Sequence, residues 1–586
     1  MTPSPSDRPT PTTAMPSFVV FDSPASSVAG SGSPTGFALR HAHMFGADDV
    51  PIQGEIRFDE AEGIIRCEKR TPDSSGISLQ FPVDAAPTTS TSTAPGSGQP
   101  IGLLTLQTCL LPERSKPYLL SLELARHRLM LILNKLEDWA LFDLPPSDPG
   151  MQLFEKARKA FTDAVVAAGD GGGATGKYPA RADALARMAL SCAVEAGEQL
   201  TVTQARVQFA KRMSGELVTA AAKIAAPVNA ITDHEAAASR NALLGSVGVI
   251  LPSPPQIGCV VSPEQFTPGL QKAVQGCCDF ITMPMRWVEL EPSEGRYVFS
   301  KTDRWIEWAV RTAKLPVVGG PIVDFRRGSV PEWLYIWEHD YETLRELVYE
   351  HVKNVVTRYR RTVGTWTVVS GLHVSSNFTL SLEQVMDLTR LAVMVVRKLQ
   401  PSAKIQVQID QPWGEYFALS NTRAMPPTIY ADMVGQAGIN PDLFALRIEM
   451  GQAEPGRSTR DLMALSTLLD RFAALERPIS VAAISAPSSP PAPEDLGLSG
   501  EHDPGFYRSA WSPAAQAKWM TQAIAVAASK PYVHSIAWHE LYDAPKPNDL
   551  RHDGLFDSSL NPKPALQRLT DVRAAIRSKV SPATLD

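Results

Sequence analysis

The strongest constraint on this chain is a recurrence in its C-terminal half. From residue 257 onward, short apolar runs rich in β-branched residues alternate with amphipathic stretches of helical length. The runs read "IGCVVS", "FITMPMRW", "PVVGGPIVDF", "TWTVVSGLH", "KIQVQIDQPW", "LFALRIEMG", "PISVAAISA" and "VHSIAWHEL". Between them lie helix-patterned segments such as "RWIEWAVRTAK", "LEQVMDLTRLAVMVVRKLQ" and "PAAQAKWMTQAIAVAAS". Eight strand–helix units over 257–580 fit an α/β fold of the (β/α)8 TIM-barrel type. An open doubly wound sheet is the alternative, but no glycine-rich phosphate loop follows the first strand.

At 586 residues the chain exceeds one ordinary domain. Residues 1–16 are Thr/Pro/Ser-rich and read as disordered. Over 17–115, runs such as "SFVVF", "IQGEIRF", "ISLQFPV" and "IGLLTLQTCLL" are divided by Gly, Pro and Asp clusters. They predict a smaller β-rich antiparallel sheet or sandwich, interrupted by a low-complexity loop at 85–100. Helical patterning dominates 116–250, with a glycine-rich break at 169–176.

The net charge of −6 includes no basic block suited to nucleic acid. No apolar run reaches the roughly 20 residues that span a membrane. The N-terminus lacks the pattern of a secretory signal, and the six cysteines are scattered, so a reducing cytoplasm is expected. Neither a metal nor another cofactor is expected. His373 and His539 fall in no HxH, HExxH or HxxE spacing. Ser370 and His373 stand near one strand end, but without the G-x-S-x-G turn of a nucleophile elbow.

Three segments carry a family resemblance. "ITMPMRWVELEPSEGRYVFSKTDRWIEWA" resembles the second strand and loop of glycoside hydrolase family 10, the endo-β-1,4-xylanases. "HVKNVVTRYRRTVGTWTVVSG" resembles that family's helix and fourth strand, and "GLFDSSLNPKPAL" its closing segment. The resemblance implies a retaining glycosidase barrel over about 257–580, with a glutamate acid/base after strand four and a glutamate nucleophile after strand seven. Such chemistry needs two carboxyl groups about 5–5.5 Å apart. Aligned on this motif, Gly371 takes the acid/base position, and the nucleophile position falls near Val481. No acidic residue occurs between Glu476 and Glu494. The ordinary double-glutamate mechanism is therefore expected to be absent.

Other polar residues end strands at the face where a barrel keeps its active site. Asp410, Glu449 and Glu540 are the candidate relocated catalytic acids. Arg286, Asp324, His373 and Arg447 are candidate substrate-binding residues, with Trp287, Trp413 and Trp538 as candidate sugar contacts. The same charged residues would also satisfy one another as an ion-pair network. Three functions follow: a barrel that binds a β-linked polysaccharide such as xylan, an active glycosidase using relocated acids, and a non-catalytic interaction protein. A carbohydrate is the expected partner. The long Pro-rich segment 487–511 after strand seven reads as a lid or binding element.

Overall fold

The structure is a computed structural model describing residues 16–21, 37–69, 73–87, 100–170, 177–217, 249–251, 253–326, 328–418, 423–454, 456–496, 502–543 and 552–585. Most of the Thr/Pro/Ser-rich start, most of the 85–100 loop and residues 171–176 of the glycine-rich break lie outside these residues.

The C-terminal half is a closed parallel barrel. Its strands are β1 (Gln256–Val260), β2 (Phe280–Met283), β3 (Val317–Gly319, resuming as Val323–Asp324), β4 (Thr365–Ser370), β5 (Lys404–Ile409), β6 (Leu443–Glu449), β7 (Ile479–Ser485) and β8 (Val533–Trp538). Neighbours pair in chain order, and β8 closes the ring on β1 through Ile536 opposite Ile257. Valine and isoleucine fill these strands because branched side chains suit a pleated surface that is covered on its outer face by helices. The interior also holds satisfied polar pairs. Gln406 Nε2 donates to Thr367 Oγ1 at 2.7 Å, and Gln408 Nε2 to Ser370 Oγ at 2.8 Å. Local signals start the covering helices: Ser381 and Gln384 form a reciprocal cap, and Ser512 caps the helix that opens with Pro513.

Among the described residues the N-terminal half supplies two small sheets and three long helices. One sheet orders Gly54–Asp59, Ile64–Lys69, Ser17–Val19 and Tyr118–Leu119, the last pair being parallel rather than antiparallel. The helices are α1 (Leu120–Asp138), α2 (Pro149–Asp170) and α3 (Ala180–Ser214). α3 ends at Ser214, where Gly215 turns left-handed at φ 76°, and helical residues resume at Glu216 and Leu217.

These elements are built against the barrel. The second sheet orders Phe506–Tyr507, Gly102–Gln107, Gly76–Val83, His43–Phe45 and Pro51–Ile52. Its first strand comes from the segment after β7, with Phe506 opposite Leu103. That end of the expected lid is therefore pinned in a sheet. The barrel helices α4 (Leu462–Ala473) and α5 (Pro513–Ser529) receive the N-terminal helices. Asp461 caps α4 and is itself paired with Arg128 of α1. Arg212 of α3 donates to the carbonyls of Ala528 and Lys530 at the end of α5, and also to those of Ser253 and Val533. It satisfies backbone acceptors that a helix end leaves open.

Asp470 of α4 joins the halves electrostatically. It lies 3.0 Å from Lys135 of α1 and 2.7 Å from Lys530, and accepts from Tyr532 at 2.6 Å. Burial alone would raise this carboxyl, but Lys530 and Lys135 outweigh it and hold it down at about 2. The same contact raises Lys135, whereas at Lys530 burial prevails and lowers it. Because the Asp470 value is depressed on folding, its contribution is complete above the ordinary value of 3.8 and is lost as pH falls through about 2. Asp470→Asn should cost about 2 kcal/mol near pH 6 by urea unfolding. The difference from wild type should shrink below pH 4, whereas a pH-independent difference would contradict this role.

Candidate functional site

All eight strand ends contribute to a cleft of about 540 Å³ at the C-terminal face of the barrel, within the ~300–1,000 Å³ range of ligand sites. Its lining includes Val260, Thr282, Arg286, Gly320, Arg326, Gln408, Asp410, Arg447, Arg457, Ala482, Ala483, His539 and Glu540. The wall at β7 is thus alanine.

At β4 the chain leaves the barrel through Gly371, at φ 68°. A Cβ at that position would meet Arg326 Cγ at 2.7 Å. Both the left-handed backbone and the overlying arginine favour glycine there. Arg326 is held by Asp324, whose carboxylate takes its Nε at 2.8 Å and its Nη2 at 2.5 Å. Asp324 is fully buried behind it. Across the cleft, Arg447 Nε donates to Glu449 Oε1 at 2.5 Å, and Arg457 Nε lies 2.9 Å from Glu449 Oε2. Arg457 also approaches Glu454 at 3.0 Å. His539 Nδ1 stands 2.9 Å from Asp553 and 3.6 Å from Glu449. Burial, reinforced by Glu540 and Glu449, pushes Asp553 well above the usual carboxylate range. A protonated Asp553 can then hydrogen-bond to a neutral imidazole.

Asp410 differs from the other acids. It lies 4.0 Å from Arg326 and 3.9 Å from Arg447, beyond hydrogen-bonding reach of either. Burial pushes its carboxyl up to about 6, with Arg326 opposing and Glu449 adding to the rise. Glu540 lines the cleft with its backbone at φ 95°, a sparsely populated region for a residue with a side chain.

The structure therefore brings Asp324, Asp410, Arg447 and Glu449 together as one charged network and places Arg286 and Glu540 on the cleft wall. Arg286 is paired with Glu289 at 3.3 Å and donates to the Gly328 carbonyl. The remaining candidates lie elsewhere. His373 is buried behind the wall, its Nε2 2.9 Å from the Asp410 carbonyl and its ring stacked on Tyr430 at 4.8 Å. Burial lowers its imidazole to about 4. Ser370 Oγ is engaged by Gln408, not by an imidazole. Trp287 is buried, stacked on His351 at 4.1 Å and bonded to Glu291. Trp538 is fully buried, with its Nε1 donating to the Asp553 carbonyl. Trp413 faces the N-terminal sheet beneath Arg460, whose guanidinium sits 4.3 Å from its ring centroid. None of these three tryptophans lines the cleft. Arg326, Arg457 and Asp553 were not among the residues expected from sequence. Arg326 and Arg457 lie just beyond strand ends, and Asp553 sits within the closing segment, where motif spacing does not single it out.

Among the described residues no group of three or more His, Cys, Asp or Glu side chains is arranged to hold a metal ion. No helix among them is long and apolar enough to cross a membrane.

A model of the glycosyl hydrolase family 10 matches residues 253–387, from β1 through β4 and into the following helix. Endo-1,4-beta-xylanase B of Thermotoga neapolitana is 31% identical over 86 residues, which are 15% of this chain and 24% of that protein. The match thus spans about a quarter of the relative's length. Among solved structures, xylanase 10B from Thermotoga petrophila RKU-1, in complex with xylobiose, is 17% identical. It covers 54% of this chain and 94% of its own, with a TM-score of 0.40. Native xylanase 10B from Thermotoga maritima is 18% identical, covering 55% and 96%, with a TM-score of 0.41.

The position of Asp410 has a measurable consequence. Its folded value exceeds the ordinary 3.8, so ionising it costs stability, and the cost grows as pH rises from about 4 to about 6. Asp410→Asn should be more stable than wild type by about 2–3 kcal/mol at pH 7.5, with the gain vanishing by pH 4. Equal stability at both pH values would show that Asp410 is not strained by burial.

Proposed function

We propose that this chain has a carbohydrate-related role, binding a β-linked polysaccharide such as xylan at the barrel mouth without the retaining two-glutamate mechanism. The family-model match supports the first part. The observation that carries the second is Gly371 beneath Arg326 at the end of β4, together with Ala482 and Ala483 lining the cleft at β7. A glycine donates no side-chain proton and an alanine attacks no anomeric carbon, so neither half of the double displacement can run from these positions. Six free cysteines support placement in a reducing compartment such as the cytoplasm.

One observation favours a second reading. Asp410 lines the cleft with its carboxyl pushed up to about 6, the range in which a general acid works near neutral pH. Glu449, beside Arg447, and Glu540, on the same wall, would then be the partner carboxylates of a relocated glycosidase. Asp410→Asn separates the two readings. On aryl β-glycosides, xylan and β-glucan, the binding reading predicts no turnover above buffer from either protein, together with a calorimetric signal for at least one glycan. Turnover by wild type that falls about 10²–10⁴-fold in Asp410→Asn would establish the relocated acid instead.

A further inference from the structure

The cleft is an unusual sugar site, because its only lining aromatic side chains among the described residues are Tyr416 and the imidazole of His539. Tyr416 is buried and its hydroxyl is committed to the Met425 carbonyl. Stacking therefore supplies little, and recognition falls to charged groups.

Those groups are arranged in layers. Arg326, Arg447 and Arg457 line the cleft, whereas Asp324 and Glu449, which hold them, are 0% and 4% exposed and do not. Guanidinium groups stand in front and the carboxylates behind. Arg457 adds a second observation: it is 7% exposed, yet its Nε and Nη1 make no aligned hydrogen bond with a described residue. Glu449 and Glu454 lie within ion-pair distance, but off the N–H directions. Buried donors without an aligned acceptor are costly, and an incoming oxygen anion would satisfy them. Of the other lining acids, Glu540 shares the cleft wall with the arginines. Glu289 is tied to Arg286, and the Glu454 side chain is 54% exposed at the rim.

We infer that the cleft takes an acidic saccharide, one whose sugar ring carries a carboxylate, with Arg326, Arg447 and Arg457 receiving that carboxylate. This rests on the reading of the cleft as a saccharide site. A planar carboxylate matches the fork of a guanidinium better than a hydroxymethyl group does. A neutral sugar offers the Arg457 donors only hydroxyl oxygens, whereas a carboxylate adds a charge-assisted hydrogen bond of roughly twice the strength. Below about pH 6, Asp410 does not oppose the arriving anion. Burial pushes its carboxyl up to about 6, and proton uptake removes its charge as a second carboxylate approaches.

The test is calorimetry on the full chain with four tetrasaccharides: β-1,4-linked glucuronic acid, cellotetraose, 6-O-sulfated cellotetraose and β-1,4-linked glucosamine. The glucuronic acid tetramer should bind about 10- to 100-fold more tightly than cellotetraose, the value of one charge-assisted hydrogen bond. Added salt should weaken that preference. Arg457→Gln should abolish it, and Arg326→Gln provides a second variant should loss of Arg457 unfold the chain. Equal affinity for the acidic and neutral tetramers would overturn the inference and leave the saccharide site standing. Tighter binding of the sulfated or the amino tetramer would overturn the carboxylate assignment. Binding of none would overturn the inference together with the saccharide reading.

Discussion

The arginine–carboxylate network across the barrel mouth is the interaction on which the site depends. A buried carboxylate is stable only when paired, and removing one partner leaves an uncompensated charge. Asp324 and Glu449 are almost wholly enclosed, so Arg326, Arg447 and Arg457 are fixed in place by them. Arg326 in turn lies across the end of β4, where it leaves no room for a side chain at residue 371. The glycine at 371 and the arginine at 326 are thus two halves of one arrangement, and restoring a glutamate at 371 alone would collide with the network.

That network also explains why the acids at the mouth do not behave alike. Glu449 has a guanidinium at 2.5 Å and Asp324 another at 2.5 Å, whereas Asp410 has none closer than 3.9 Å. Burial without a close cation raises a carboxyl, and so Asp410 is held above the usual carboxylate range, at about 6. Meanwhile the N-terminal half grips α4 and α5 and takes an edge strand from the segment after β7. The helices behind β6 and β7 are held from outside, steadying strands that carry Arg447, Glu449 and the alanine wall.

Much of the barrel was legible in the sequence, because eight apolar runs separated by amphipathic helices leave few other folds. Seven of the eight quoted runs contain their strands whole and the first misses only Gln256, and Gly371 was read at the end of β4 from the "TWTVVSG" register. The tryptophans were not legible in the same way. A position near a strand end does not say which way an indole turns. Trp287 and Trp538 turned into the core, and Trp413 turned toward a sheet contributed from some three hundred residues away in sequence. Arg326 and Arg457 escaped notice because pairing between loops depends on geometry that no local spacing encodes. The contribution of Phe506–Tyr507 to the N-terminal sheet was hidden for the same reason: a two-residue edge strand has no periodicity to detect.

The most direct measurement is a crystal structure of the full chain soaked with a β-1,4-linked acidic tetrasaccharide. The account predicts saccharide density over the β4 and β7 ends, one carboxylate against Arg326, Arg447 and Arg457, and every glycosidic bond intact. An empty cleft with the saccharide bound elsewhere, or cleaved product lying against Asp410, would contradict it.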